Sequence, residues 1–78
     1  MELNHAVAIA ETGEVGAALE MVDRLELAEY HYLHATRAEL LRRLDRAEES
    51  RAAYERALEL VTADAERAHL ERRLAELS

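Results

Sequence analysis

Two histidines, His31 and His34, come nearest to a chemical site by residue type and spacing. Residues three apart share one face of a helix, so this pair could hold a metal ion or pass a proton. A zinc site needs three or four converging ligands, and the residues one turn away, Leu27, Arg37 and Ala38, supply no anionic ligand. We therefore predict no metal and no other cofactor, and we expect both imidazoles to pack or to form hydrogen bonds.

Patterns for other kinds of catalysis are equally weak. Neither Ser50 nor Ser78 has a glycine-rich elbow or an evident neighbouring base, and the chain has no glycine-rich loop that could cradle a phosphate. Acidic pairs such as Glu48 and Glu49 are ordinary solvated helix positions, without the apolar surroundings that raise a carboxyl pKa for acid catalysis. The sequence predicts a protein that is not an enzyme.

The segment from Tyr30 to His34 is the strongest candidate for contact with another protein. It carries four rings within two helical turns, and Tyr and His combine an apolar ring with a polar tip, which suits a partly wet interface. Tyr30 shares a helical stripe with Leu33, which favours a place in the core for Tyr30 and leaves contact with a partner as the alternative. Tyr32, His31 and His34 are then the first interface candidates.

Arg37 interrupts the apolar stripe of the same segment. It could clamp a carboxylate of a partner, but pairing with Glu20, Asp23 or Glu26 on the preceding helix is the favoured prediction. The paired arginines farther along, at 42–43 and 72–73, are expected on solvated faces beside acids such as Glu39 and Glu76.

The charge of the chain is negative and unevenly distributed. The net charge is −7, and residues 1–28 hold six acids against Arg24 alone. This distribution argues against direct nucleic-acid binding, which needs clustered cations, and favours a basic protein partner. Glu14 and Glu20 are therefore further candidates for protein interaction.

Composition restricts the fold to one small all-α domain. The 78 residues include no Cys and no Pro, and Ala, Leu, Glu and Arg, which are strong helix formers, supply most of them. Without Cys there is no disulfide framework, and no apolar run approaches the roughly 20 residues of a membrane span. The first residues lack the basic start of a signal peptide, so we expect a cytoplasmic protein with no membrane contact.

Hydrophobic periodicity divides the chain into five predicted helices. The first two cover about 2–11 and 14–26, separated by a turn at Gly13, and the next two are separated by a turn at 44–46. Thr62 or Asp64 is the expected cap of the last helix. The domain then consists of a hairpin over about 2–26, a second hairpin over about 29–61, and a capping helix over about 63–77.

Residues 46–61 repeat small and large residues at the offsets of the second helix of a tetratricopeptide repeat. In the second hairpin the small positions fall on Ala38 and Ser50, and the large ones on Leu41 and Tyr54. Matching positions of the first hairpin are Ala6, Ile9, Ala18 and Val22. We predict about two and a half tetratricopeptide-like hairpins, with five helices in a right-handed stack that binds another protein segment.

Three ordered motifs at 28–44, 51–58 and 65–74 resemble the C-terminal extension of a group of bacterial extracytoplasmic-function sigma factors. The start Leu-Asn-His-Ala-Val-Ala at 3–8 is similar to the Leu-Asn-Arg-Ala-Val-Ala that begins this extension. Departures from the family pattern are His5 for Arg, Asp45 for Gly, Ser50 for Ala, and a shortened segment at 24–27.

The resemblance implies a non-catalytic domain that regulates transcription initiation. Its implied partners are the N-terminal domains of the sigma factor, RNA polymerase, or a small regulator such as the DGPF-motif (YCII-related) proteins. The promoter-reading domains of the family are not in this sequence. The alternative is a generic tetratricopeptide adaptor or a homo-oligomerising scaffold unrelated to transcription, and the apolar ends of so short a stack predict self-association of the isolated chain.

Overall fold

The computed structural model describes residues 2–25 and 29–77, with side chains from residue 5 onward. These residues form five α-helices and no strand, which confirms the all-α fold with five helices. In chain order the helices are α1 (Glu2–Glu11), α2 (Val15–Arg24), α3 (His31–Arg43), α4 (Ala47–Leu60) and α5 (Asp64–Glu76).

Each helix packs mainly on its neighbours in the chain. The contact of α3 with α4 is the most extensive, α1 packs on α2, α2 on α3, and α4 on α5. By these bounds three of the four connections are three residues long and the one between α2 and α3 is six, so consecutive helices must fold back on one another. One continuous core of buried residues, drawn from all five helices, results.

Small residues let α3 and α4 approach closely. Ala38, Ser50 and Ala57 are fully buried, and the Ser50 hydroxyl donates a 2.7 Å hydrogen bond to the carbonyl oxygen of Ala38. Leu41 and Tyr54 fill the space beside this seam, with 0% and 2% of their surface exposed. The small and large positions predicted for the second hairpin are therefore confirmed.

The first hairpin follows the same rule. Ala6, Ala18 and Val22 are fully buried, and Ile9 packs against them as a partly buried residue. Gly13 ends α1 with a φ of +96°, a left-handed conformation that glycine adopts without strain. The predicted turn at Gly13 is confirmed.

The turn between α3 and α4 places a non-glycine residue in left-handed geometry. Asp45 has a φ of +60°, its N–H bonds the carbonyl of Arg42, and the N–H of Arg46 bonds the carbonyl of Leu41. These two bonds form a Schellman motif, whose left-handed position usually carries Gly. Asp45 thus occupies the left-handed position at which the repeat pattern predicts glycine.

The expected side-chain cap of α5 is wrong. The helix begins at Asp64 and its N-cap is Ala63, which has no side-chain acceptor. Asp64 lies in the first turn, where its charge still favours the positive end of the helix. The second helix, predicted to run to about residue 26, ends at Arg24, where Leu25 is an extended C-cap. Glu26 lies outside the described residues. Among the helices described, none combines the length and the apolar character needed to cross a membrane.

Candidate protein-binding groove

A groove of about 800 Å³ runs between α1, α3 and α5. Its lining comes from α1, α3 with the preceding Tyr30, and α5, together with Tyr54 of α4, and its apolar part is largely alanine and leucine. The lining residues are Val7, Ala10, Glu11, Tyr30, His31, Tyr32, Ala35, Thr36, Glu39, Leu40, Arg43, Tyr54, Ala65, Glu66, His69, Leu70 and Arg73. Apolar floor and polar walls of this kind are typical of a site for a protein segment.

The aromatic end of the groove is formed by Tyr30, His31 and Tyr32. The rings of Tyr30 and Tyr32 lie 6.0 Å apart between centroids, and His31 meets the ring of Tyr30 edge-on at 5.5 Å. Tyr30 and Tyr32 are 39% and 40% exposed, the large hydrophobic side chains that the described part of the chain leaves most open to solvent.

The prediction that Tyr30 lies in the core is wrong. Periodicity predicts Tyr30 as a helical residue on the stripe of Leu33, but α3 begins one residue later, at His31. Tyr30 is the N-cap, with extended backbone angles (φ −98°, ψ 113°), so its ring leaves the stripe and points to the groove. Leu33 is buried as expected.

His31 bridges two helices across the aromatic end. Its ring Nε2–H donates a hydrogen bond to the carboxylate of Glu66 on α5. The sequence separation of these residues is 35, so no local pattern indicates their contact. His31 therefore helps to fix the distance between α3 and α5.

Glu39 joins the helices at the other end of the groove. Its carboxylate accepts hydrogen bonds from Arg42 and Arg43 on α3, and Arg73 on α5 approaches it to 3.8 Å. Burial raises the pKa of Glu39, but the hydrogen bonds from the two α3 arginines and the charges of Arg42 and Arg73 outweigh burial, so the pKa lies below its ordinary value of 4.5.

Tyr54 supports this cluster from α4. Its hydroxyl donates a 3.4 Å hydrogen bond to Glu39, and burial together with the negative charge of Glu39 raises the pKa of the phenol above its ordinary value. Arg43 also lies 3.6 Å from Glu11 on α1. Glu39, Arg43, Arg73, Glu11 and Tyr54 thus connect four helices by polar contacts.

The other predicted interaction residues lie away from the groove. Arg37 donates a 2.7 Å hydrogen bond to Asp23 on α2, which confirms the internal ion pair and identifies its partner. His34 is half-buried, and Glu14 and Glu20 are exposed, at the start and in the middle of α2. The groove thus brings together Tyr30, His31 and Tyr32 but not these four residues.

Sequence reasoning missed most of the groove residues. The sequence pattern that could have identified them is a second stripe along each groove helix, at intervals of three and four residues. On α3 this stripe runs through Tyr32, Ala35, Glu39 and Arg43. This stripe mixes polar and small residues, so hydrophobic periodicity does not detect it. In the described residues no cluster of three or more His, Asp or Glu side chains has the arrangement of a metal site.

Comparisons with known proteins give one informative match. The chain is 41% identical, over 78 residues, to an uncharacterized protein of Rhizobium meliloti (strain 1021). The match covers 97% of this chain but 18% of that protein, so most of the relative lies outside the matched segment. No protein-family model matches the chain. No solved structure matches it either.

Proposed function

We propose that this chain is a regulatory domain that modulates transcription initiation in an extracytoplasmic-function sigma factor by binding protein. Its partner is the N-terminal part of the sigma factor, RNA polymerase or a small regulator, and its place of action is the cytoplasm. The domain is not an enzyme and does not itself bind DNA. The observation that carries a binding role is the groove with its pair of exposed tyrosines.

Two further observations support the proposal. The motifs at 28–44, 51–58 and 65–74 resemble the extension of these sigma factors in the same order. In addition, the relative from Rhizobium meliloti contains the matched segment as a small part of a much longer chain, as expected for a domain that acts on the rest of its protein.

The charge of the domain suits a basic partner. The six acids within residues 1–28 and the net charge of −7 would attract positively charged surfaces such as those of promoter-reading domains. Charge reversal at Glu14 and Glu20, both exposed on or next to α2, should slow association and make it less sensitive to salt. Unchanged association would remove this surface from the proposal.

The alternative function is a tetratricopeptide adaptor or a homo-oligomerising scaffold. Exposed tyrosines beside an apolar groove would be buried equally well in an interface between two copies. A stable homodimer that buries Tyr30 and Tyr32 would favour the scaffold.

A binding titration separates the two functions. The purified chain is titrated by calorimetry with the promoter-reading fragment of a sigma factor of this group, and with core RNA polymerase as a second partner. Saturable binding that weakens in Tyr32→Leu and His31→Phe, but not in the exposed α4 variant Glu55→Gln, is the expected result. Absence of binding to both partners, with a tight homodimer in sedimentation, would replace the proposal by the scaffold.

A further inference from the structure

The aromatic end of the groove has the composition of a site for a cation. Two tyrosine rings, 39% and 40% exposed, lie 6.0 Å apart between centroids. Glu66 lies across the groove on α5 and is bonded to His31, and Glu29, which directly precedes Tyr30, is 89% exposed and lies 4.0 Å from Arg56 on α4. Aromatic faces and carboxylates both attract cations, and guanidinium groups stack on rings while pairing with carboxylates.

No arginine of the described residues lines this end of the groove. The two groove arginines, Arg43 and Arg73, belong to the opposite end: Arg43 lies twelve positions after His31, about 18 Å along α3 at 1.5 Å per residue. Both are paired there, Arg43 with Glu39 and Glu11, and Arg73 with Glu39 and Glu76. Within the described residues the tyrosine pair therefore has no arginine of this chain beside it in the groove; the basic groups around it are His31, which is bonded to Glu66, His69 in the groove lining, and Arg56, which lies 4.0 Å from Glu29.

The floor next to the aromatic end accommodates an apolar side chain. Ala35, one turn after His31, and Ala65, next to Glu66, line this part of the groove with short side chains, and the buried Leu70 follows Glu66 by one turn of α5. A ligand that places one apolar residue over this floor and one cation between the tyrosines matches both regions.

We propose that the groove binds a basic segment of a partner protein through an arginine of that segment. The guanidinium stacks on Tyr32 and Tyr30 and forms hydrogen bonds with Glu66, while a neighbouring apolar residue of the segment lies over the alanine floor. This inference rests on the proposed function for the existence of a protein partner, and it adds the chemistry of the contact.

Charge makes a second copy of this chain the poorer occupant. Each copy carries a net charge of −7, so two copies repel one another at low ionic strength. A basic segment is attracted by the same net charge, which is the excess of 17 acidic residues over ten arginines. Charge complementarity thus favours a basic partner over self-association at this face.

Synthetic peptides test the arginine contact directly. The probe is a fluorescein-labelled amphipathic peptide of about 14 residues with one central arginine and one leucine four positions away, and its binding to the whole chain is followed by anisotropy. Matched peptides replace the arginine by lysine or glutamine. We expect the arginine peptide to bind best, the lysine peptide to bind about threefold more weakly, and the glutamine peptide about tenfold more weakly.

Three variants of the chain separate the two halves of the contact. Tyr32→Leu should lower the affinity for the arginine peptide about three- to fivefold. Tyr32→Phe, which keeps the aromatic face, should lower this affinity less than twofold. Glu66→Gln keeps an oxygen that can accept the His31 hydrogen bond but loses the charge. It should lower the affinity for the arginine peptide about tenfold. Glu55→Gln, exposed on α4, is the control of equal charge and should change nothing.

The outcomes distinguish this inference from the proposed function. Equal affinity for the arginine and glutamine peptides, or no response to Tyr32→Leu and Glu66→Gln in variants whose circular dichroism is unchanged, would overturn the inference even if the sigma fragment binds. Arginine-dependent peptide binding without any binding of the sigma fragment or polymerase would support the inference and reject the proposed function. A dimer in which amide shifts of residues 30–32 change with concentration would overturn the inference in favour of a second copy.

Discussion

At the scale of single residues, Glu39 shows how one carboxylate can hold a groove together. It accepts hydrogen bonds from two arginines of its own helix and from Tyr54 of α4, and it attracts Arg73 of α5. Each contact taken singly is worth little at a partly exposed site, but their convergence lowers the pKa of Glu39. The stability that this carboxylate contributes must therefore depend on pH.

The sign of this dependence follows from the lowered pKa. An unfolded chain takes up the Glu39 proton near the ordinary value of 4.5, whereas the folded chain takes it up at lower pH. The contribution of Glu39 is thus fully present above pH 4.5 and is lost as the pH falls below this value. We expect Glu39→Gln to lower the free energy of unfolding by roughly 0.5 to 1 kcal/mol near pH 7, a figure reduced by solvent screening.

Urea titrations of both proteins between pH 7 and pH 3 measure the difference. The difference in free energy of unfolding between wild type and Glu39→Gln should shrink below pH 4.5. Glu55→Gln should have nearly the wild-type free energy of unfolding at every pH. A gap that stays constant down to pH 3 would contradict the role given to the Glu39 charge.

Ser50 is the second residue whose environment gives a clear prediction. It is fully buried in the α3–α4 seam and its hydroxyl bonds a backbone carbonyl. Ser50→Ala loses this bond, about 1 kcal/mol, but gains helix propensity, so the net loss should stay below about 1 kcal/mol. Ser50→Val crowds the seam and should cost about 1 to 3 kcal/mol. Thermal unfolding of the two variants compares these costs, and equal destabilisation would show that the seam is not tightly packed.

At the scale of the helical elements, the turn after α3 carries a conformational cost. Asp45 occupies a left-handed position at φ +60° that disfavours a side chain, although Asp tolerates it better than most residues. Asp45→Gly should stabilise the protein by about 0.5 to 1 kcal/mol, and Asp45→Val should destabilise it by more than that. Melting temperatures of both variants test the prediction. A lower melting temperature for Asp45→Gly would mean that the carboxylate has a contact that outweighs the strain.

The elements also show what sequence can and cannot predict. Helix positions, the seam at Ala38 and Ser50, and the Arg37–Asp23 pair follow from periodicity and from neighbours in the chain. Periodicity misplaces Tyr30 because one residue decides whether a side chain belongs to a helical stripe or to the extended segment before it. The His31–Glu66 and Glu39–Arg73 contacts depend on how α5 lies beside α3, which is a property of the stack and not of any local pattern.

At the scale of the whole molecule, the helices form a series in which each packs mainly on the next. The stability of such a series is the sum of the stabilities of the single helices and of the interfaces between neighbours. The helices at the two ends have the fewest interfaces. The two middle helices, α3 and α4, share the largest interface. Local opening should therefore be easiest at the ends of the series.

Native-state hydrogen exchange measures this gradient. We expect the amides of α3 and α4 to exchange slowest and those of α5 to exchange by local opening at lower free energy. Leu70 is the buried side chain through which α5 packs on the core. Leu70→Ala should lower the free energy of opening of the α5 amides by about 2 to 4 kcal/mol, and that of the α3 amides by less. Uniform loss of protection across all helices would indicate a single cooperative unit instead.

The serial arrangement also determines how the molecule responds to force. Since α5 rests chiefly on α4, and α1 chiefly on α2, tension applied through the two ends acts on every interface in the series, and the less extensive ones should yield before that of α3 with α4. The chain should extend in steps, first at an outer helix and last at the pair α3 and α4. A domain of this kind would act as a compliant spring, yielding at low load and recovering its length when the tension is released.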